Sequence, residues 1–273
     1  MTRNSGGWAL VLGPGGPVGT AWLTGLAAGL RQAGVEPAGA DLIVGTSAGA
    51  IAGALIATGR ELAALAELPP RDRPPRPPMD ESLWPRIQAL GGDPVLDPDE
   101  VRRQIGRMAA AAEALPARWH RAGMEFLIGT DAWPADARLL ITAVDVESGA
   151  PVVWDGASGV PLTAAVAASS AAPGYAEPIV IEGRRYMDGA FGGGSNAHLA
   201  AGAGRVVLVE PLGHPAESAG AADVRIVPDE QAQAVFGASV NDLDRWTPVY
   251  REGFRQAADV AELVAPAVTG PGG

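Results

Sequence analysis

The apolar and polar positions of the chain switch period in a repeating order. Trp8 to Leu12 is a short apolar run that stops at Gly13-Pro14-Gly15-Gly16, and from Gly19 to Ala33 the apolar residues recur at helical spacing. Asp41-Leu42-Ile43-Val44 begins the same sequence again, with a tight turn over Gly45 to Gly49 and a small-residue helix to about Ala57. Two strand-turn-helix units in succession predict a parallel sheet joined by right-handed crossovers. Beyond residue 136 the rhythm resumes. It predicts strands at Leu139 to Val146, Val152 to Trp154, Ile179 to Ile181, Arg185 to Met187, Val206 to Val209 and Val224 to Val227. Helices are predicted over Pro161 to Ala171 and near Asp229 to Phe236 and Pro248 to Leu263.

The stretch from about 60 to 136 breaks this rhythm. Pro69 to Pro78 places six prolines and three arginines in ten positions, which neither a helix nor a central strand accepts, so it reads as an extended solvated linker. Pro98 to Leu115 reads as a helix, with Asp97, Asp99 and Glu100 at its dipole-favoured N-terminus. Trp84, Trp119 and Trp133 fall in the same stretch, which is expected to be an inserted helical cap packed over the first unit. The whole therefore reads as one α/β domain over residues 1–265, a mostly parallel sheet with helices on both faces, followed by a flexible Gly/Pro tail over 266–273.

Composition removes several chemistries. The 273 residues are 47% apolar and 19% charged, enough to bury a core. There is no cysteine, hence no disulfide or thiolate nucleophile, and all 20 basic residues are arginine, so Schiff-base lysines and a P-loop lysine are excluded. A net charge of −11 has the wrong sign for a sequence-independent nucleic-acid binder or a polybasic membrane anchor. The N-terminus runs straight into an apolar strand with no separate leader-like segment, and the apolar run from Ala48 to Ala57 is about half what a bilayer-spanning helix needs, so a cytoplasmic location is expected. Three scattered histidines without cysteine give a structural metal site little support.

Three motifs carry the chemistry. Gly45-Thr46-Ser47-Ala48-Gly49 is a G-x-S-x-G between an apolar strand and a small-residue helix, the context in which a nucleophilic serine projects from a strained turn toward helix N–H groups. A Gly/Ala-rich chain also makes this pattern by chance. Gly13 to Gly19, after the first strand, presents main-chain N–H groups suited to a phosphate or an oxyanion; Pro14 and Pro17 interrupt the dinucleotide-binding spacing. Met187-Asp188-Gly189-Ala190 sets a carboxylate at a strand end, although an Asp-Gly pair is by default a turn.

Taken in order, the three motifs resemble those of the patatin-like phospholipases, serine lipid acyl hydrolases with a Ser-Asp dyad. Ala168 to Pro178 resembles the family's small-residue helix and A-x-P segment, and Ser195-Asn196-Ala197-His198-Leu199 the stretch that often follows the aspartate motif. The resemblance covers roughly residues 7 to 60 and 138 to 212. It implies a three-layer α/β/α patatin-like fold, with Ser47 as nucleophile, Asp188 as base and the N–H groups of Gly15 and Gly16 as oxyanion hole, supported by Gly13, Gly19, Gly45, Gly49 and Gly189. It implies a lipid or acyl-ester substrate, transient contact with a membrane surface, and no metal or organic cofactor. The chain departs from the family at Pro14, at Val18 where a basic residue is usual, after Asp188 where Ala190-Phe191-Gly192-Gly193-Gly194 lacks a basic residue, and at His198 where an acid is usual. Two other readings stay open: a non-catalytic ligand-binding module on the same scaffold, and a Ser-Asp-His esterase using His198 or His214. Outside that esterase reading, His120, His198 and His214 are expected to be structural or solvent-facing.

Overall fold

The apolar runs become the strands of one sheet. The computed structural model describes residues 7–68, 82–92, 95–136, 138–213 and 222–269. In chain order the strands are β1 (Trp8–Leu12), β2 (Leu42–Gly45), β3 (Leu139–Asp145), β4 (Pro151–Trp154), β5 (Ile179–Ile181), β6 (Arg184–Asp188), β7 (Arg205–Val209) and β8 (Val224–Ile226). The helices are α1 (Gly16–Gln32), α2 (Ala48–Ala57), α3 (Leu83–Gly91), α4 (Pro98–Ala111), α5 (Ala117–Ile128), α6 (Leu162–Ser169), α7 (Ala190–Gly193), α8 (Glu230–Phe236) and α9 (Trp246–Thr269). The sheet runs β5-β6-β3-β2-β1-β7-β8, with β4 also paired to β3. β1 is parallel to β2 and β7, β2 to β3 and β7 to β8, so the centre is parallel as the strand-turn-helix order predicts. The end that carries β4, β5 and β6 is antiparallel.

The two-residue period of a strand divides the core. Trp8, Leu10 and Leu12 join residues of α1, α2, α6 and α9 in the larger apolar cluster. Ala9 and Val11 point the other way, onto the short 3-10 turn Ala197–Ala200. Farther along that second face α3 and α4 pack on Val144, Val146 and Met187. Helices thus lie on both faces of a mostly parallel sheet, giving the expected three-layer arrangement.

Several boundaries differ from the sequence reading, each for a local reason. α1 starts at Gly16, inside the glycine loop, because Pro17 in its first turn needs no hydrogen bond and brings a helical φ. α4 ends at Ala111, since Leu115 leaves it to exchange backbone hydrogen bonds with Tyr175 and Glu177. α3 and α5 were not resolved as separate helices by the spacing. α9 begins at Trp246, whose indole N–H donates to Leu65 O at 2.7 Å, and continues through Pro266 to Thr269. The Pro69 to Pro78 linker, His214 and the last four residues of the expected tail lie outside the described residues. Among the described residues no helix is long and apolar enough to cross a membrane.

α1 and α9 pack unusually closely, and small residues allow it. A Cβ on Gly29 would lie 2.5 Å from Ala257 Cβ and 2.6 Å from Phe254 O, while the buried Trp22 indole donates to Gln256 Oε1 at 3.0 Å across the same interface. In an open helix Gly→Ala gains about 1 kcal/mol of helix propensity. Gly29→Ala is expected to do the opposite, losing roughly 1–3 kcal/mol through overpacking. Thermal unfolding of the variant checks this, and a midpoint at or above wild type would mean that the helices separate without penalty.

Candidate active site

β3 is the ruler that brings the motifs together. Gly45 at the end of β2 is in register with Ile141, and Asp188 at the end of β6 with Ala143, two residues farther along the same strand. Ser47 is likewise two residues beyond Gly45. The parallel neighbour and the antiparallel neighbour of β3 therefore deliver their motif residues to one level, and the Thr46 and Thr142 hydroxyls, 2.9 Å apart, mark that level between them.

The turn at Ser47 is strained in the way a serine elbow requires. Ser47 has φ 56° and ψ −114°, a conformation that L-residues rarely adopt and that costs roughly 1–3 kcal/mol. Its N–H donates to Ser169 Oγ at 3.0 Å, and the Gly49 N–H to Gly13 O at 3.1 Å, so the end of α6 and the glycine loop hold the turn. The motif glycines serve close approach here. A Cβ on Gly49 would run into the Leu12 carbonyl, and one on Gly45 would lie 2.7 Å from Ala50 Cα. Gly189 is pressed in the same manner against Thr142.

Asp188 is sunk in the protein, 3% exposed, beside Ser47 at 6%. Ser47 Oγ donates to Asp188 Oδ2 at 2.6 Å, and the Ala190 N–H donates to Oδ1 at 2.9 Å. Burial disfavours the charged carboxylate more than these two donors favour it, so the Asp188 carboxyl is pushed up to about 7. A carboxyl balanced between its two forms near neutrality, in short contact with a serine hydroxyl, can accept that proton and return it.

The glycine loop borders the pair. Gly13 N–H donates to Val209 O and Gly19 N–H to Gly15 O, which fold the loop back on α1. Gly15 is extended and caps the helix; Gly16, at φ 61°, occupies the left-handed region that favours glycine. Helix geometry leaves the first amides of α1 without intrahelical acceptors. Pro17 has no N–H, and the Val18 N–H donates to Val240 O at 3.0 Å.

Ser47, Asp188, Gly15 and Gly16 line one cavity of about 810 Å³, large enough for a drug-sized or acyl ligand. Its walls are chiefly apolar: Ile51, Leu68, Met124, Leu127, Val240 and Leu243 contribute. Trp84 of α3, Trp119 and Phe126 of α5, and Leu212 also line it while remaining more than a third exposed, so they stand where the cavity meets solvent. Trp133 lies elsewhere, packed on the main core with its indole N–H on Val160 O.

His120 is buried in the manner of a structural histidine, and it also borders the cavity. It is 4% exposed, has Nε2 3.0 Å from Ser170 Oγ, and meets the Tyr175 ring edge-on. No spacing signal marks it, because its partners are 50 and 55 residues away in sequence. Ser169 and Ser170 were legible only as part of a small-residue helix. His198 is exposed and does not border the cavity. Among the described residues no cluster of His, Asp and Glu has the makings of a metal site.

The family model described as patatin-like phospholipase matches residues 10–201 of the chain. Among solved structures, the type III effector protein ExoU is similar at 18% identity and a TM-score of 0.44, over 93% of this chain and 53% of that one. The chain thus spans about half the length of that relative. No curated protein matches it.

Burial of Asp188 has a measurable consequence for stability. Its folded value lies above the 3.8 of an ordinary aspartate, so between the two values the folded chain holds a proton that the unfolded chain has released. Its contribution is fully favourable below about pH 4 and is lost as pH rises through about 7. Asp188→Asn, which cannot ionise, is expected to melt higher than wild type at about pH 8, with the difference narrowing toward about pH 5. A difference independent of pH would show that the carboxylate is not desolvated.

Proposed function

The chain belongs to the patatin-like phospholipase family, and we propose that it is a serine acyl hydrolase that cleaves lipid or fatty-acyl carboxylic esters. The observation that carries this reading is the 2.6 Å hydrogen bond from Ser47 Oγ to a buried Asp188, both facing an apolar cavity. In the proposed reaction Ser47 Oγ attacks the ester carbonyl as its proton passes to Asp188. The Gly15 and Gly16 N–H groups stabilise the oxyanion. Collapse of the tetrahedral species releases the alcohol, which takes the proton from Asp188, and leaves an acyl-serine. Water then gives a proton to Asp188 and attacks the acyl carbon; the acid leaves and Ser47 recovers its proton. A carboxylate suffices as base because its affinity for a proton has been raised by burial.

The direct Ser47–Asp188 contact favours this dyad over a histidine triad through His198, which is exposed and away from the cavity. The segment from about 60 to 136 acts as a cap in this reading, since α3 and α5 furnish Trp84, Trp119, Phe126 and Met124 to the cavity. The exposed apolar side chains at its rim suit transient contact with a lipid surface, where tryptophan prefers the interface.

Hydrolysis of p-nitrophenyl esters of increasing acyl length tests the reaction. Ser47→Ala and Asp188→Ala are expected to lower kcat roughly a thousandfold or more, and wild-type kcat/KM to rise with pH through about 7 as Asp188 loses its proton. Wild type no faster than Ser47→Ala, with Ser47 inert to a fluorophosphonate, would favour the non-catalytic binding module instead. For the surface contact, Trp119→Ala and Phe126→Ser should raise the apparent KM for vesicle-borne substrate about fivefold or more while changing a water-soluble ester less than about twofold. Equal losses on both substrates would count against the rim as a lipid-facing surface.

A further inference from the structure

We infer that Asn196 is a positioning residue for the reacting pair: its buried side-chain amide joins the residue before Ser47, the residue after Asp188 and the strand between them. This assignment rests on the catalytic reading above. Asn196 is 3% exposed and has a left-handed backbone, φ 55° and ψ 33°. Its Nδ2 lies 3.0 Å from Thr46 Oγ1, 3.3 Å from Thr142 Oγ1, 3.2 Å from Gly189 O and 3.2 Å from Gly194 O. Thr46 is the chain neighbour of Ser47, Gly189 is the chain neighbour of Asp188, and Thr142 stands on β3 between them. One amide group therefore touches both motif loops at a residue adjacent in the chain to each reacting side chain.

The turn that carries this amide is itself held from behind. Ser195 Oγ donates to Glu210 Oε1 at 2.5 Å, and Arg225 Nε donates to Glu210 Oε2 at 2.8 Å. Glu210 is 1% exposed and stands just after β7, on the side of the sheet away from β3. Gly13 of the glycine loop packs on the same turn, where a Cβ would lie 2.8 Å from Ser195 Oγ. The space around Asn196 is equally tight, since a Cβ on Gly193 would lie 2.7 Å from its Oδ1. A donor is needed at this point because the surrounding groups are two hydroxyl oxygens and two carbonyl oxygens. An amide supplies two N–H hydrogens to be shared among them; a carboxylate of the same shape supplies none and aims charge at oxygen.

The physical consequence concerns the 2.6 Å bond. Ser47 occupies a backbone conformation that relaxes unless its neighbours forbid it, and Thr46 is the neighbour that Asn196 holds. Releasing Thr46 and Gly189 lets the hydroxyl and the carboxylate drift apart, which impairs proton transfer without altering the apolar walls that bind the acyl chain. It also withdraws a hydrogen bond that favours the charged form of Asp188, so the carboxyl holds its proton to higher pH.

The test uses the full chain, p-nitrophenyl butyrate and a fluorophosphonate probe. Asn196→Ala and Asn196→Asp are expected to reduce kcat about tenfold or more with KM within about twofold. They should slow labelling of Ser47 to match, and shift the acidic limb of kcat/KM to higher pH. Tyr250→Phe serves as the comparison, since it deletes a buried hydrogen bond to Leu62 O outside the cavity; its activity should follow the folded fraction alone, with the limb unmoved. Thr142→Val keeps the test decisive should the Asn196 variants fold poorly, for it should lower kcat in the wild-type background and add little in Asn196→Ala. Labelled wild type together with Asn196 variants of unchanged kcat and limb position would overturn the assignment alone. Failure of wild type to label at Ser47 would overturn the catalytic reading and this assignment with it.

Discussion

A carboxylate 3% exposed, in contact with a serine hydroxyl and the Ala190 main-chain N–H, is the constraint around which this protein is built. Burying a charge without an opposite charge beside it is expensive, and among the described residues the cost of desolvating Asp188 is opposed by the Ser47 and Ala190 donors and by no guanidinium. The chain tolerates this by letting the group keep its proton until near neutrality. Elsewhere the same carboxylate chemistry is settled in the opposite way. Asp145, equally buried, is held in its charged form by Arg184 and Ser148. Two aspartates at the ends of neighbouring antiparallel strands thus have opposite protonation preferences, and the Arg184 guanidinium together with the two Ser148 donors makes the difference.

Holding Asp188 against Ser47 demands that strands of opposite direction end at one level. A purely parallel sheet would send the end of β6 to the same edge as β2 by way of a crossover helix. Here β6 arrives antiparallel to β3, and register alone sets how far it advances. A slip of one residue would turn Asp188 to the other face of the sheet and leave its hydroxyl partner unmatched. The close contact that resists such a slip is Gly189 on Thr142, where a Cβ finds no room, while Gly49 on Leu12 and Gly45 on Ala50 fix the Ser47 turn in the same way. Small residues in the motif loops are therefore a packing requirement of the register as much as a requirement of the turn.

The parallel half of the sheet and all three motif loops were legible in the sequence because each depends on local signals: an apolar run, a glycine stop, a helical period. Trp8 to Leu12 and Asp41 to Gly49 declare their roles within a dozen residues. The antiparallel end was less legible. Arg184 to Asp188 is short and begins with two arginines, and nothing local specifies that β3 should accept both β4 and β6. α3 and α5 merged into a general expectation of a cap, although each turns apolar residues to the core as well as to the cavity: Leu83 and Ile87 of α3, and Met124 and Ile128 of α5. His120 and Asn196 were the least legible of all. Their partners are separated by 50 to 150 residues, so the meaning of each exists only after the fold has formed.

The apolar cavity and the raised carboxyl are two faces of one arrangement. Water entering the site would solvate Asp188, lower its proton affinity and stabilise the charged form that is a poor base. In the proposed reaction a bound acyl chain excludes that water, so substrate binding would itself maintain the proton affinity on which the first step depends. An imidazole base would not need this, because its unperturbed affinity already lies near neutrality. A carboxylate base would, and in the proposed reaction that ties catalysis to the walls contributed by α3, α5 and the Val240 to Leu243 segment. On that proposal, residues that never touch Ser47 or Asp188 set their protonation, and the apolar length of the substrate becomes part of the acid-base chemistry.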